Sequence, residues 1–185
     1  MSARRLEHDW FPRELPDNVE VGDRSWIYST YAFLHYRSRR PCGVRIGSDS
    51  GIYHGTFFEL GPEGRVEIGD FCALVGAVIR TDSLVTIADY AFVAHEVVLA
   101  DGPFAAPPGA GDTRGNGPAA PAGSARDIVI GENVWIGARA VLLGGAEIGA
   151  ASIVGAAAVV DFPVPPYSIV AGNPARVVGE VPRAG

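Results

Sequence analysis

The sequence predicts an all-β fold, a parallel β-helix of six-residue repeats with about six coils and one protruding loop, and three observations carry that expectation. Aliphatic residues recur in steps of six at Ile68, Leu74, Ile87, Val93, Leu99, Ile130, Ile136, Leu142, Ile148, Val154 and Val160. Four places after most of them stands a small or β-branched residue: Cys72, Val78, Ala91, Val97, Val134, Ala140, Ala146, Ser152 and Ala158. Gly or Ala usually follows the aliphatic directly. Two inward positions per hexad, joined by a tight turn, suit short flat strands that fill a narrow prism with one large and one small side chain.

The elements follow in order. Residues 1–18 lack the period and are expected to form an arm or cap, with the β-helix domain over 19–180. Coil starts fall near Val21, Ile46, Ile68, Ile87, Ile130 and Ile148. The last interval is 18 residues, three hexads, so each coil is a triangle of three strands; the interval from Ile68 to Ile87 is 19. Longer intervals mark insertions around 37–44 and 60–65. The loop at 101–127 is rich in Gly, Pro and Ala without period, which marks an excursion rather than a coil. Loops of this length inside a compact domain are functional or disordered. Residues 181–185, VPRAG, are expected to be a tail.

Composition narrows the function classes. A chain of 185 residues is one domain by length, and 48% hydrophobic content is ample for a core. A net charge of -6 argues against a nucleic-acid partner, which needs clustered Lys and Arg; the basic stretch Arg37, Arg39, Arg40, Arg45 reads as a solvated early coil. Two cysteines, Cys42 and Cys72, make no disulfide framework and are expected to be reduced. The N-terminus MSARRLEHDWF lacks the apolar region of a signal peptide, and no stretch is apolar long enough to span a bilayer. A cytoplasmic protein without a membrane partner is the expectation.

Stacking turns sequence offsets into neighbours about 4.8 Å apart. Two places after the aliphatic of the second strand lie Ser29, His54, Gly76, His95 and Ala138, so His54 and His95 share a column with one coil between them. At the third turn the same offset gives His35, Leu60, Asp82, Asp101 and Gly144.

The segments IGENVWIGARAVLLGGAEIGAASIVGAAAVV and PPYSIVAGNPARVVGEV resemble the hexapeptide-repeat acyltransferases, close to the maltose and galactoside O-acetyltransferases and the xenobiotic acetyltransferases. The resemblance covers roughly residues 46–172, with GNPARVV its most specific piece. It implies a left-handed β-helix, a homotrimer, and acetyl-CoA or another acyl-CoA as cosubstrate in the groove between subunits, with a small-molecule acceptor and no metal. Small outward residues at Gly137, Ala138, Gly155 and Ala156 would let pantetheine lie against backbone groups. Arg176 corresponds to the family's cationic contact near the nucleotide end of CoA, and Arg139 is in place to assist; the alternative is that Asn173 and Pro174 simply end the helix and Arg176 is a solvated charge.

Acyl transfer from a thioester needs a base for the acceptor's proton. In the resembled enzymes a histidine at the start of the protruding loop supplies it, in a segment of the type T-A-T-H-P. Here Leu99 to Phe104 read LADGPF, without histidine. His95 is the preferred replacement, six residues before the loop, and its alternative is a surface turn histidine paired with Glu96. His54 is the second candidate, and His35 reads as a cap. Asp101 at the loop base is a third, either as a proton acceptor coupled to Asp82 or as a turn cap. A metal-dependent enzyme like the γ-class carbonic anhydrases, with His54, His95 and Glu96 as ligands, and a non-catalytic assembly or binding protein remain as alternatives. The aromatic run Trp26, Tyr28, Tyr31, Phe33, Tyr36 either contacts an apolar acceptor or seals the open end of the core.

Overall fold

The computed structural model describes residues 5–101 and 126–183. Most of the loop predicted at 101–127 therefore lies outside the described residues, as do the ends of the arm and of the tail.

The six-residue period becomes a parallel β-helix with three faces. On the first face Val21, Ile46, Ile68, Ile87, Ile130, Ile148 and Val164 stand in register. The second carries Ile27, Ile52, Leu74, Val93, Ile136, Val154 and Val170. Among the described residues the third carries only Phe58, Ile79, Leu99, Leu142 and Val160. Five coils are thus complete triangles between two partial ones, in keeping with about six. In the first partial coil a 3-10 helix, Thr30–Phe33, stands where a third-face strand would be. After the last, strand Arg176–Glu180 turns back antiparallel on Ser168–Ala171.

Nearly all of these aliphatics are buried and form one continuous core. Val21 is the exception: it keeps the register but is exposed at the open end, where Val19 is buried instead. The corner between the first and second faces is held by a ladder of left-handed residues. Asp49, Phe71, Tyr90, Asn133, Ala151 and Tyr167 have φ of 55 to 60°, and each donates its N–H to a corner carbonyl of the preceding coil. A cost of about 1–3 kcal/mol for such a backbone is tolerated because the stack over-determines it. Burial pushes the Cys72 thiol up from its ordinary value, and both cysteines are free.

The arm is pinned rather than loose. Asp9 accepts from Phe11 N (2.9 Å), Ser29 Oγ (2.7 Å), Thr30 N (2.6 Å) and Thr30 Oγ1 (2.6 Å). His8 stacks on Trp26 with centroids 4.0 Å apart, and Leu15 is buried in the core.

Candidate functional site

The register places one column along the corner between the second and third faces. Two residues beyond each second-face aliphatic come His54, Gly76, His95, Ala138, Ala156 and Gly172 in succession. Both histidines are exposed, two coil spacings or about 10 Å apart along the stack. Between them the turn is short: five residues separate Leu74 from Ile79, whereas six separate Ile52 from Phe58 and Val93 from Leu99. Gly76 makes this turn with φ +68°, and a Cβ there would meet the His54 carbonyl at 3.5 Å and His95 Cα at 3.9 Å. The two histidines consequently flank a notch without a side chain.

The short turn corrects two expectations. Ala77, fully buried, takes the inward small position that six-residue counting assigns to Val78. Thr81 rather than Asp82 stands level with Asp101, so the two carboxylates do not form a stacked pair. Asp101 is buried and its Oδ2 accepts from Thr81 Oγ1 (2.6 Å), Asp82 N (2.9 Å) and Ser83 N (2.8 Å). Asp82 in turn accepts from Glu63 N at 2.9 Å. These are turn-capping contacts. Where the chain leaves the coil at Asp101 and re-enters at Arg126 its ends meet, since a Cβ on Gly144 would lie 3.0 and 3.1 Å from their carbonyl oxygens.

His95 is not paired with Glu96. That carboxylate reaches the next coil and accepts from Arg139 Nε at 2.7 Å, both side chains being largely exposed. Glu96, Arg139 and Ala157 are left-handed and donate N–H groups to the carbonyls of Gly76, His95 and Ala138, so the stack itself fixes the backbone around His95. Arg139, a candidate phosphate contact, is engaged by Glu96 before any ligand arrives. Gly137 has a packing reason as well as a binding one: a Cβ would stand 2.6 Å from Ala156 N. Gly155 and Ala156 continue the stripe of small residues, and exposed Arg176 begins the last strand just beyond it, its Nη1 donating to Ala175 O at 2.6 Å.

Beyond His54, on the side away from the stripe, lies a cavity of about 180 Å³. The arm supplies Trp10, the first partial coil Tyr28, Ser29, Tyr31 and Ala32, and the second coil Ile52, Tyr53, His54, Gly55, Thr56 and Phe57. His54 meets Tyr28 edge to face with centroids 4.9 Å apart. The aromatic run therefore divides: Phe33 stacks on Phe58 (4.9 Å) inside the core and Tyr36 donates to Asn18 Oδ1 (2.9 Å), while Tyr28 and Tyr31 line the cavity. Sequence reasoning missed Trp10 and Phe57; two aromatics at Trp10 and Phe11 in a polar arm were the available signal. His35 lies instead beside Arg37, Glu59 and Arg80 at a separate polar cavity of about 350 Å³. Among the described residues no three His, Cys, Asp or Glu side chains come together as a metal site, and Glu96 points to Arg139 instead of joining the histidines. No helix among them is long and apolar enough to cross a membrane.

Comparison with known proteins adds three findings. Residues 127–161 match the family described as bacterial transferase hexapeptide (six repeats). The chain is similar to galactoside O-acetyltransferase of Escherichia coli strain K12, 32% identical over 74% of this chain and 63% of that protein. It is 34% identical to a chloramphenicol acetyltransferase of Agrobacterium fabrum strain C58, over 70% of this chain and 62% of that protein. It spans a little under two thirds of the length of these relatives. A hexapeptide-repeat acetyltransferase of Vibrio cholerae, solved with acetyl-coenzyme A, has a similar fold, with TM-score 0.59 and 25% identity over 83% of this chain and 77% of that one. With residues 127–161 matching the family model and its coils matching such a structure, the chain is a β-helix of six-residue repeats, similar in sequence and fold to the hexapeptide acetyltransferases.

Proposed function

We propose that the chain is a CoA-dependent acyltransferase that moves an acetyl or related acyl group to a hydroxyl or amine of a small molecule, as a homotrimer in the cytoplasm. The observation that carries this reading is the similarity to acetyltransferases over the coils that bear the small-residue stripe. That stripe runs from Gly172 through Ala156 and Ala138 to His95, three coil spacings or about 14 Å, with Arg176 one strand beyond the coil of Gly172. An extended pantetheine arm laid along it places its nucleotide near Arg176 and its thioester near His95.

His95 then takes the proton as the acceptor's oxygen or nitrogen attacks the thioester carbonyl carbon. A tetrahedral intermediate forms, the C–S bond breaks, and the imidazolium returns its proton to the leaving thiolate. Asp101 supports the loop base by capping, and His54 faces the acceptor. The homotrimer has support in the outer apolar strip of the second face, where Phe92 packs on Trp135 (centroids 6.2 Å) in register with Ile153 and Ile169. Phe92 and Trp135 are 40% and 55% exposed in a single chain, which suits a covered face.

Acetyl-CoA at saturating concentration is expected to raise Tm by several degrees. A thiol-release assay over a panel of alcohols and amines is expected to show acceptor-dependent CoA formation. An unchanged Tm together with no release from any acceptor would overturn the reading in favour of a non-catalytic β-helix.

A further inference from the structure

We propose that the cavity beside His54 is the acceptor subsite and that it takes a single six-membered aromatic ring, presenting a hydroxyl or amine on a short arm into the notch above Gly76. This rests on the acyltransferase reading and names its substrate class. Size argues first: a cavity of about 180 Å³ is close to the roughly 150 Å³ known to admit benzene. Chemistry argues second. The walls are rings in fixed mutual geometry, with Tyr31 at 5.5 Å from Trp10 and 5.6 Å from Phe57, offering edge and face contacts to a further ring.

The polar groups nearby are already engaged. Ser29 Oγ donates to Asp9, Thr56 Oγ1 donates to the Leu74 carbonyl at 3.2 Å, and each Asp9 oxygen accepts two bonds. A sugar would need several free donors and acceptors at such walls, where His54 and the hydroxyls of Tyr28, Tyr31 and Tyr53 are among the few polar side-chain groups left. Position argues third. The cavity, His54, the Gly76 notch, His95 and the small-residue stripe follow one another along a single corner, so a ring seated in the cavity aims its substituent at the place where the thioester would end.

The test uses 2-phenylethanol as the ring probe and methyl galactoside as the sugar probe, with the whole chain and no acyl-CoA. Saturation-transfer NMR is expected to show binding of 2-phenylethanol alone. Ala32→Leu, which fills the cavity floor, is expected to weaken that binding by about tenfold or more while leaving the acetyl-CoA shift in Tm unchanged. Because Ala32 is buried and its variant threatens folding, Trp10→Ala, a change in an exposed ring of the arm, provides the second arm with the same expected loss. Binding of methyl galactoside in preference to the ring probe, or ring binding indifferent to both substitutions, would overturn the subsite even if acetyl-CoA still stabilises the protein. Ring binding that responds to both substitutions in a protein that acetyl-CoA fails to stabilise would keep the ring site and overturn its role as an acceptor subsite.

Discussion

The coils after the loop and the coils before it are built to different standards of regularity. From Ile130 to Val160 the large aliphatics sit six apart without exception, and Val134, Ala140, Ala146, Ser152 and Ala158 fill the inward small positions. Before the loop a coil runs 22 residues from Ile46 to Ile68 and 19 from Ile68 to Ile87. There the inward and corner places include Ser50, Cys72, Thr56 and Thr81, whose hydroxyls and thiol bond to neighbouring backbone. Uniform stacking makes a smooth stripe suited to any extended cosubstrate. Irregular stacking makes the notch at Gly76 and leaves room for the aromatic cavity. Under the proposed function, the regular half handles the common acyl donor and the irregular half chooses the acceptor.

His95, at the boundary between the halves, tests that division most strongly. His95→Gln is expected to lower kcat by about 10²–10⁴-fold with the KM for acetyl-CoA within twofold. His54→Gln is expected to act mainly on the acceptor KM. Equal kcat losses from both would mean that the two histidines act as a pair, and no loss from His95→Gln would remove it as the base.

Core packing separates the halves next. Phe58 is fully buried and stacked on Phe33 at the irregular end, whereas Leu142 is fully buried between regular coils. Phe58→Ala is expected to cost about 3–5 kcal/mol and Leu142→Ala about 2–5 kcal/mol, read by urea unfolding. The aromatic loss also takes away the support behind the 3-10 helix, so Phe58→Ala alone is expected to weaken 2-phenylethanol binding. Equal effects of the two changes on that probe would show that the cavity does not depend on its local packing.

At the loop base, Asp101→Ala leaves the amides of Asp82 and Ser83 and the Thr81 hydroxyl without their acceptor. The expected cost is about 1–3 kcal/mol, with kcat falling far less than in His95→Gln. A loss of activity as large as that of His95→Gln in a variant of unchanged stability would return Asp101 to the chemistry.

What was legible in sequence follows the same boundary. Within each run of six-residue spacing the register could be counted to the residue, and aligning the coil starts across the insertions was enough to put His54, His95 and Ala138 in one column. The Glu96 contact with Arg139 was implicit in that column too, because a register pairing Val93 with Ile136 sets residue 96 beside residue 139. The missing residue at Gly76 was not legible, since Ala77 and Val78 both suit an inward small position and only the strand pairing distinguishes them. The cavity was hidden for another reason: its walls come from an arm and a first coil without repeats, and the Asp9 bonds to Ser29 and Thr30 join residues about twenty apart with no period to announce them.

Asp9 supplies the smallest test, and its sign can be worked out. Burial pushes its carboxyl up, but the hydrogen bonds from Thr30, Phe11 and Ser29 together outweigh burial and hold it at about 2, against an ordinary value of 3.8. A carboxylate depressed in the folded state contributes stability that is complete above its unfolded value and is lost as pH falls through its folded one. The window is therefore about pH 4 down to pH 2. Since the Asp9 carboxylate is half-buried and solvent still screens it, the contribution is about 1 kcal/mol, below what the shift alone would give. Asp9→Asn keeps the shape and cannot ionise, so the two proteins should differ by that amount at pH 6 and converge near pH 2 in urea midpoints. Ring binding should follow the same course, because the carboxylate holds the arm that carries Trp10. Parallel stability curves over the whole range would mean that the arm is held by its aromatic contacts alone, and the irregular half would then owe its cavity to packing rather than to charge.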